Sequence, residues 1–305
     1  MRRFIAKRLL LAIVTLFGVT LIVFVAARLT GDPALLIAPS DASEEQIQAI
    51  RVKLGLDKPI PVQYAIFIRD AFRGEFGESL RYGQPAMNLA LKRFPATLEL
   101  AAWAFALGLL FGVPLGIVSA TRPGSIRERA GTIFARLGLA VPGFWLAVIL
   151  MLVFSVKLGW FPTSGREHLS SRVLPVIAIA WVSLAQIMRV TRSSMLEVLG
   201  SDFVKMARIK GLKERVVVWK HALRNALIPV LGMAGFMFGM LVGGAALVES
   251  VFRWPGIGAL LIDAVFARDF PLVQAGVILV SAAVILVNLL VDVLYGVIDP
   301  RIRLG

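Results

Sequence analysis

Charged residues divide this chain into six long uncharged runs, at 9–27, 100–121, 137–156, 173–188, 225–248 and 270–291. Five of them have about the ~20 residues a helix needs to cross a bilayer, and the run at 173–188 extends a little at its ends. Backbone polar groups inside hydrocarbon must be satisfied within the segment, so the runs predict six transmembrane helices rather than strands. The stretch between the first two runs has a different texture. Ser43-Glu-Glu-Gln46 reads as a capping box that opens a helix with Ile47, Ile50 and Leu54 on one face, ending at Gly55. A second helix is predicted from Pro61 or Val62 to Phe72, stopped by Gly74. This segment is small for a core of its own, so it reads as a helical cap packed on the bundle. The expected organisation is a first transmembrane helix at 1–30, a cap at 31–96 and a core at 97–305. The fold class is therefore all-α, a polytopic membrane protein.

The polar interval at 201–229 breaks the apolar pattern of the second half most sharply. From 189 to 224 there are nine Lys/Arg against three Asp/Glu. Two short helices are predicted, at about 200–210 and 213–226, joined at Gly211, where glycine can turn with positive φ. Phe203, Val204, Ala207 and Leu212 give the first an apolar stripe at helical spacing, with Lys205, Arg208 and Lys210 beside it. Such a helix can lie on lipid, on the bundle, or in the groove of another protein. Composition alone favours a basic loop resting on anionic lipid.

Composition sharpens the membrane reading. Apolar residues make up 58% of the chain and mean hydropathy is +0.82, far above an average soluble domain. The absence of cysteine excludes disulfides and thiolate metal sites, and His168 and His221 are too few and too separated for a histidine cluster. The net charge of +14 would suit nucleic acid, but its distribution points elsewhere. Segments 1–8, 122–136, 189–224 and 292–305 carry nineteen Lys/Arg and six Asp/Glu, whereas the remainder carries fourteen and thirteen. The positive-inside rule then places both termini in the cytoplasm. Val25-x-Ala27 offers a signal-cleavage pattern, but the first apolar run is too long for a signal and five more follow, so an uncleaved helix is expected.

Small residues and prolines add detail. Gly108, Gly112 and Gly116 share one helix face, as do Gly235, Gly239 and Gly243, and such spacing permits close backbone approach in lipid. The first set reads as packing within the chain; the second, directly after the charged interval, reads as a moving or pathway-lining contact. Pro142, Pro175 and Pro229 are placed near helix starts, and Pro114 in a helix interior predicts a kink. The stretch Glu249-Ser-Val-Phe-Arg-Trp-Pro-Gly-Ile-Gly258 suggests a re-entrant or interfacial piece at an outer mouth, with Glu249, Trp254, Pro255 and Gly256 as its marked residues. Trp254 reads equally well as an ordinary interface anchor.

Chemistry is sparse. No Gly-Lys dipeptide occurs, so there is no phosphate-binding loop of the Walker type, and no G-x-S-x-G or H-E-x-x-H is present. No charged residue sits near the middle of any run, where an ion-coupled carrier usually keeps one. The chain thus offers a path without an energy source, and an external motor is the economical explanation.

A family resemblance points to that motor. Ala207-x-x-x-Gly211 resembles the core of the EAA loop of ABC importer permeases, and AR-x-KGL…HALRNALIPV is similar to the version in peptide, nickel and glutathione importers. Lys205-Met206 replaces the usual Glu-Ala, and Pro229 falls later than the usual Leu-Pro. Leu54-Gly-Leu-Asp-Lys-Pro59, Gly31-Asp32-Pro33, FRWPGIG and NLLVDVLYGVIDPRIR (with Asp299-Pro-Arg-Ile-Arg303) extend the likeness over nearly the whole chain. The resemblance implies a type I ABC importer permease in a bacterial or archaeal inner membrane, acting on a peptide-like substrate and not itself an enzyme. It implies as partners a homologous second permease, two cytoplasmic ATPases that hold ATP and Mg, and an extracytoplasmic binding protein, with no cofactor on this chain. The ATPase-coupling residues would be Asp202, Phe203, Lys205, Ala207, Arg208, Lys210, Gly211 and Leu212. The cap would either order the first helix or contact the binding protein. The competing classes are an ion-coupled transporter or channel working alone and a membrane scaffold that recruits a soluble enzyme.

Overall fold

The computed structural model describes residues 2–29, 34, 38, 42–53, 55–122 and 124–298. Gly31-Asp32-Pro33, Leu54 and Asp299-Pro-Arg-Ile-Arg303 lie outside the described residues. Helices dominate: α1 Arg2–Leu29, α2 Glu44–Lys53, α3 Ile60–Phe72, α4 Ala86–Thr121, α5 Ile126–Ala140 and α6 Gly143–Lys157, then α7 Val173–Leu199, α8 Asp202–Ile209 and α9 Glu214–Gly244, then α10 Ala246–Val251, α11 Ile257–Phe266 and α12 Phe270–Ile298. Among the described residues, α1, α4, α7, α9 and α12 are each long and apolar enough to span a membrane. A sixth span is obtained only by counting α5 and α6 together, and that pair is bent by 99°.

The bend corrects the single helix expected over 137–156. Val141 is extended (φ −92°, ψ 116°) and Pro142 caps α6. A proline ring clashes with a helical residue before it, so an uncharged run can still be two rods. Pro229 is a second correction. It lies inside α9 rather than near its start, because 214–226 is not a separate short helix. That stretch opens the long α9, through a π-helical turn at Val217–Ala222. By contrast, α4 runs unbroken through Pro95 and Pro114, and the 96/97 boundary expected between cap and core falls within it.

Packing of the central helices is backbone-close. A Cβ on Gly112 would lie 3.0 Å from the Leu184 carbonyl oxygen, and one on Gly116 2.8 Å from that of Met188. The glycine face of α4 therefore seats directly on α7, as expected for packing within the chain. Helix α5 uses Gly131 against Met188 and Gly138 against Ala185 on the same helix.

The cap is tied to the bundle by aromatic rings and polar contacts. Ser43 and Gln46 form the reciprocal capping box at 2.9 and 3.3 Å. Phe24 of α1 meets Tyr64 and Phe67 of α3 at 5.4 and 5.6 Å between ring centroids, and Phe67 continues to Phe76 at 6.2 Å. Thr20 and Tyr64 share a 3.0 Å hydrogen bond. The first and last spans meet through the Arg8–Asp292 ion pair at 3.1 Å.

Candidate functional site

Helix α8 begins after Ser201, which is extended and so starts a new helix direction. Its apolar positions divide between two faces. Val204 and Ala207, 0% and 8% exposed, join Ile117, Met195, Val217 and Ala222 in a buried cluster contributed by α4, α7 and α9. Phe203, Met206 and Ile209 point away and are 46%, 53% and 79% exposed. The helix ends in a Schellman arrangement. Gly211 has φ +75°, its N–H donates to the Arg208 carbonyl at 2.9 Å, and the Leu212 N–H donates to the Ala207 carbonyl at 3.4 Å. Nothing lies within 4 Å of where a Gly211 Cβ would stand, so only the backbone angle demands glycine. Arg208 reaches across the turn to Glu214 at 2.8 Å, and Lys205 pairs with Asp202 at 2.9 Å. Asp202, Lys205, Lys210 and Leu212 are exposed.

At the other end of α4 the polar groups are inside. Glu249 of α10 is fully buried. Its carboxylate accepts from Thr97 Oγ1 at 2.6 Å and from the Ala259 N–H at 2.9 Å, and Thr97 Oγ1 itself accepts from the Ile257 N–H at 2.9 Å. A Cβ on Gly256 or Gly258 would run into that carboxylate. Trp254 is 1% exposed, not an interface anchor. Its indole N–H donates to the Ala96 carbonyl at 2.9 Å, and the Arg166 and Arg172 guanidiniums lie 5.7 and 6.0 Å from its ring centroid. Both arginines also pair with Glu99. Pro255 completes the turn into Gly256. A similar knot holds α12, where buried Asp269 accepts from Ser79 Oγ and from the Leu272 N–H at 3.3 Å.

The marked glycines of α9 do not behave alike. Gly235 is pressed against Val291 of α12. Gly239 makes ordinary contact with Val284 and Asn288, and Gly243 has open space around it. Only the first is a tight packing contact. Among the described residues no group of three His, Cys, Asp or Glu is placed to hold a metal ion.

Sequence reasoning located α8 and its turn but missed Met206 and Ile209, although both follow Phe203 at spacing three. It also missed Thr97, Glu99, Arg166, Arg172 and Asp269. Thr97 and Glu249 stand 152 residues apart, and no local pattern connects them.

Comparison with known proteins bears on both ends. Residues 112–304 match the model for the binding-protein-dependent transport system inner membrane component, and residues 1–101 match the N-terminal model for the same class of membrane component. The chain is 43% identical over 304 residues to the glutathione transport system permease protein GsiC of Pectobacterium atrosepticum, covering 99% of both chains. It is 42% identical to the di/tripeptide transport system permease protein DppB of Pseudomonas aeruginosa, again covering 99% of each. Among solved structures, the MetNI methionine ABC transporter in an inward-facing conformation aligns with a TM-score of 0.56 at 20% identity, covering 70% of this chain and 97% of that one. An amino acid ABC transporter aligns at 0.53 and 17% identity. These two likenesses show a type I ABC importer permease fold. With a family model spanning most of its length and full-length relatives above 40% identity, the chain belongs to the inner-membrane components of binding-protein-dependent transport systems.

Proposed function

We propose that this chain is the permease subunit through which ATP hydrolysis on separate subunits drives uptake of a peptide-like substrate, a di- or oligopeptide or glutathione. The observation that carries the reading is α8. A two-turn helix holds itself to the bundle with Val204 and Ala207 and leaves Phe203, Met206 and Ile209 on the opposite side. An exposed apolar face on a short helix is what a groove in another protein accepts. Gly211 then turns the chain directly into α9, one of the spans. Asp202, Lys205, Arg208 and Lys210 surround the face and would set its register on an ATPase by charge, with exposed Leu212 adding an apolar contact. Two ATPases carrying ATP and Mg, a second permease of the same kind and an extracytoplasmic binding protein complete the assembly. The excess of basic residues at 1–8, 122–136, 189–224 and 292–305 supports cytoplasmic termini in an inner membrane.

Closure of the ATPases would move α8 and, through the turn, tilt α9 against α12 at Gly235. The test reconstitutes the chain in liposomes alone and with its ATPases, second permease and binding protein. Uptake of dipeptide or glutathione only by the full assembly, and only with ATP, is the expected result. Ion-driven uptake by the chain alone would establish a secondary transporter. Retention of a soluble enzyme without uptake would establish a scaffold.

A further inference from the structure

The turn between α10 and α11 has a second side that the buried knot does not use. There, Tyr82, Arg93, Ser250, Arg253 and Asp263 line a half-open cavity of about 350 Å³, with Trp254 forming part of its wall. The volume is at the lower end of what small-ligand pockets enclose. Its lining is mainly polar, unlike the apolar crevice formed by Phe17, Ile68 and Phe72. Neither Arg93 nor Arg253 has an ion-pair partner among the described residues. Arg81 stacks over the ring of Tyr82 at 5.6 Å.

Arg253 is held in an unusual way. Its backbone is left-handed (φ 47°), a conformation shared by only one other non-glycine residue among those described, Arg268. Such a backbone costs on the order of 1–3 kcal/mol and persists only where the surroundings enforce it. Here they do: the next residue, Trp254, is buried and fixed by the Ala96 carbonyl and two guanidiniums. The tryptophan points into the protein, and the arginine before it is left on the cavity side.

We infer that this cavity is a binding site for a small zwitterionic ligand of peptide size. Its carboxylate would be taken by Arg93 and Arg253 and its ammonium group by Asp263. Guanidinium forks match carboxylates in geometry as well as charge, and a lone carboxylate in the same cavity suits the opposite end of a zwitterion. The inference deepens the peptide-import reading and rests on it for the identity of the ligand. It places a substrate contact on the permease itself, at the end of the bundle remote from α8.

Binding of dialanine and of glutathione to the full chain in lipid nanodiscs tests the site, measured calorimetrically. Arg93→Gln and Arg253→Asn are the variants; both residues are exposed, and asparagine tolerates the left-handed backbone. Each should weaken binding about tenfold. Dialanine amide should bind the unaltered chain no better than dialanine binds the variants. Asp263→Asn should weaken dialanine but leave N-acetyl-dialanine unchanged. The inference is overturned if neither probe binds at about 10 mM, or if the variants bind dialanine normally. It is also overturned if they lose the amide and the free peptide equally, or lose only association with the binding protein. Uptake by the assembled transporter separates the two readings. Peptide uptake with unchanged KM in the variants removes the site and keeps the function, whereas an assembly that imports neither probe removes the peptide reading.

Discussion

The two ends of the bundle solve opposite problems. Around α8 the chain buries small apolar groups, Val204 and Ala207, and leaves larger ones, Phe203, Met206 and Ile209, on the surface. Around α10 it buries a carboxylate and an indole and supplies each with partners from its own backbone and side chains. Buried polar groups cost several kcal/mol when unpaired, so the second end is a closed unit that loses stability when any member is removed. The first end is open: its exposed apolar face gains nothing until something covers it. One end is closed by the chain's own groups, and the other is the end that the proposed assembly would cover.

Substitutions at the two ends should separate these designs, ranked by their effect on the stability of the chain alone. The largest loss is expected from Glu249→Ala, which strands the Thr97 hydroxyl and the Ala259 N–H in a buried site. A cost of about 3 kcal/mol follows, read as a lower midpoint of thermal unfolding in detergent; an unchanged midpoint would break the contrast. Next comes Ala207→Asp, which places a carboxylate among Ile117, Met195 and Val217. Burying that charge is costly enough, at about 2 kcal/mol or more, to release α8 rather than unfold the spans. Hydrogen exchange should therefore rise at 202–212 and remain low in α4 and α7.

Glycine substitutions sharpen the comparison because their costs differ in kind. Gly258→Ala forces a methyl onto Ala246 and the Glu249 carboxylate, a steric cost of about 1–3 kcal/mol. Gly211→Ala meets open space and pays only for its positive φ, about 1 kcal/mol. Gly211→Val raises that local strain, and its expected signature is loss of coupling between ATP hydrolysis and uptake in the assembled transporter. The smallest effect on the chain should be that of Met206→Ser with Ile209→Ser, within about 0.5 kcal/mol per site. The same pair should abolish retention of the ATPases on affinity-purified permease. Normal retention would remove the face from the coupling assignment, and failure of a Lys205, Lys210 and Lys213 charge-removal set instead would favour a lipid-resting loop.

How much of this was legible beforehand depends on whether the signal is local. Uncharged runs marked the five long spans because crossing a membrane is a demand on each segment by itself. The same runs could not show that 137–156 is bent at Val141-Pro142, because hydropathy has no direction. The turn at Gly211 and the stops at Gly55 and Gly74 were readable because positive φ selects glycine. The division of α8 into a held face and a free one was not: DFVKMARI is apolar on both, and only the positions of α4, α7 and α9 decide which side is covered. The knot at Glu249 was invisible because Thr97, Trp254 and Ala259 meet only after the whole chain has folded.

Helix α9 has a mechanical consequence. Its 31 residues make a rod about 46 Å long at 1.5 Å per residue. With Gly235 as the proposed pivot, a tilt of about 5° would displace the Gly211 end by roughly 3 Å and the Gly244 end by about 1 Å. The π turn at Val217–Ala222 lies near the Gly211 end, and the hydrogen bond missing at Pro229 lies at mid-length. In the proposed coupling the arm on the Gly211 side is the longer and the less regular, so it would trade stroke for force and absorb misalignment before the motion reaches Gly243.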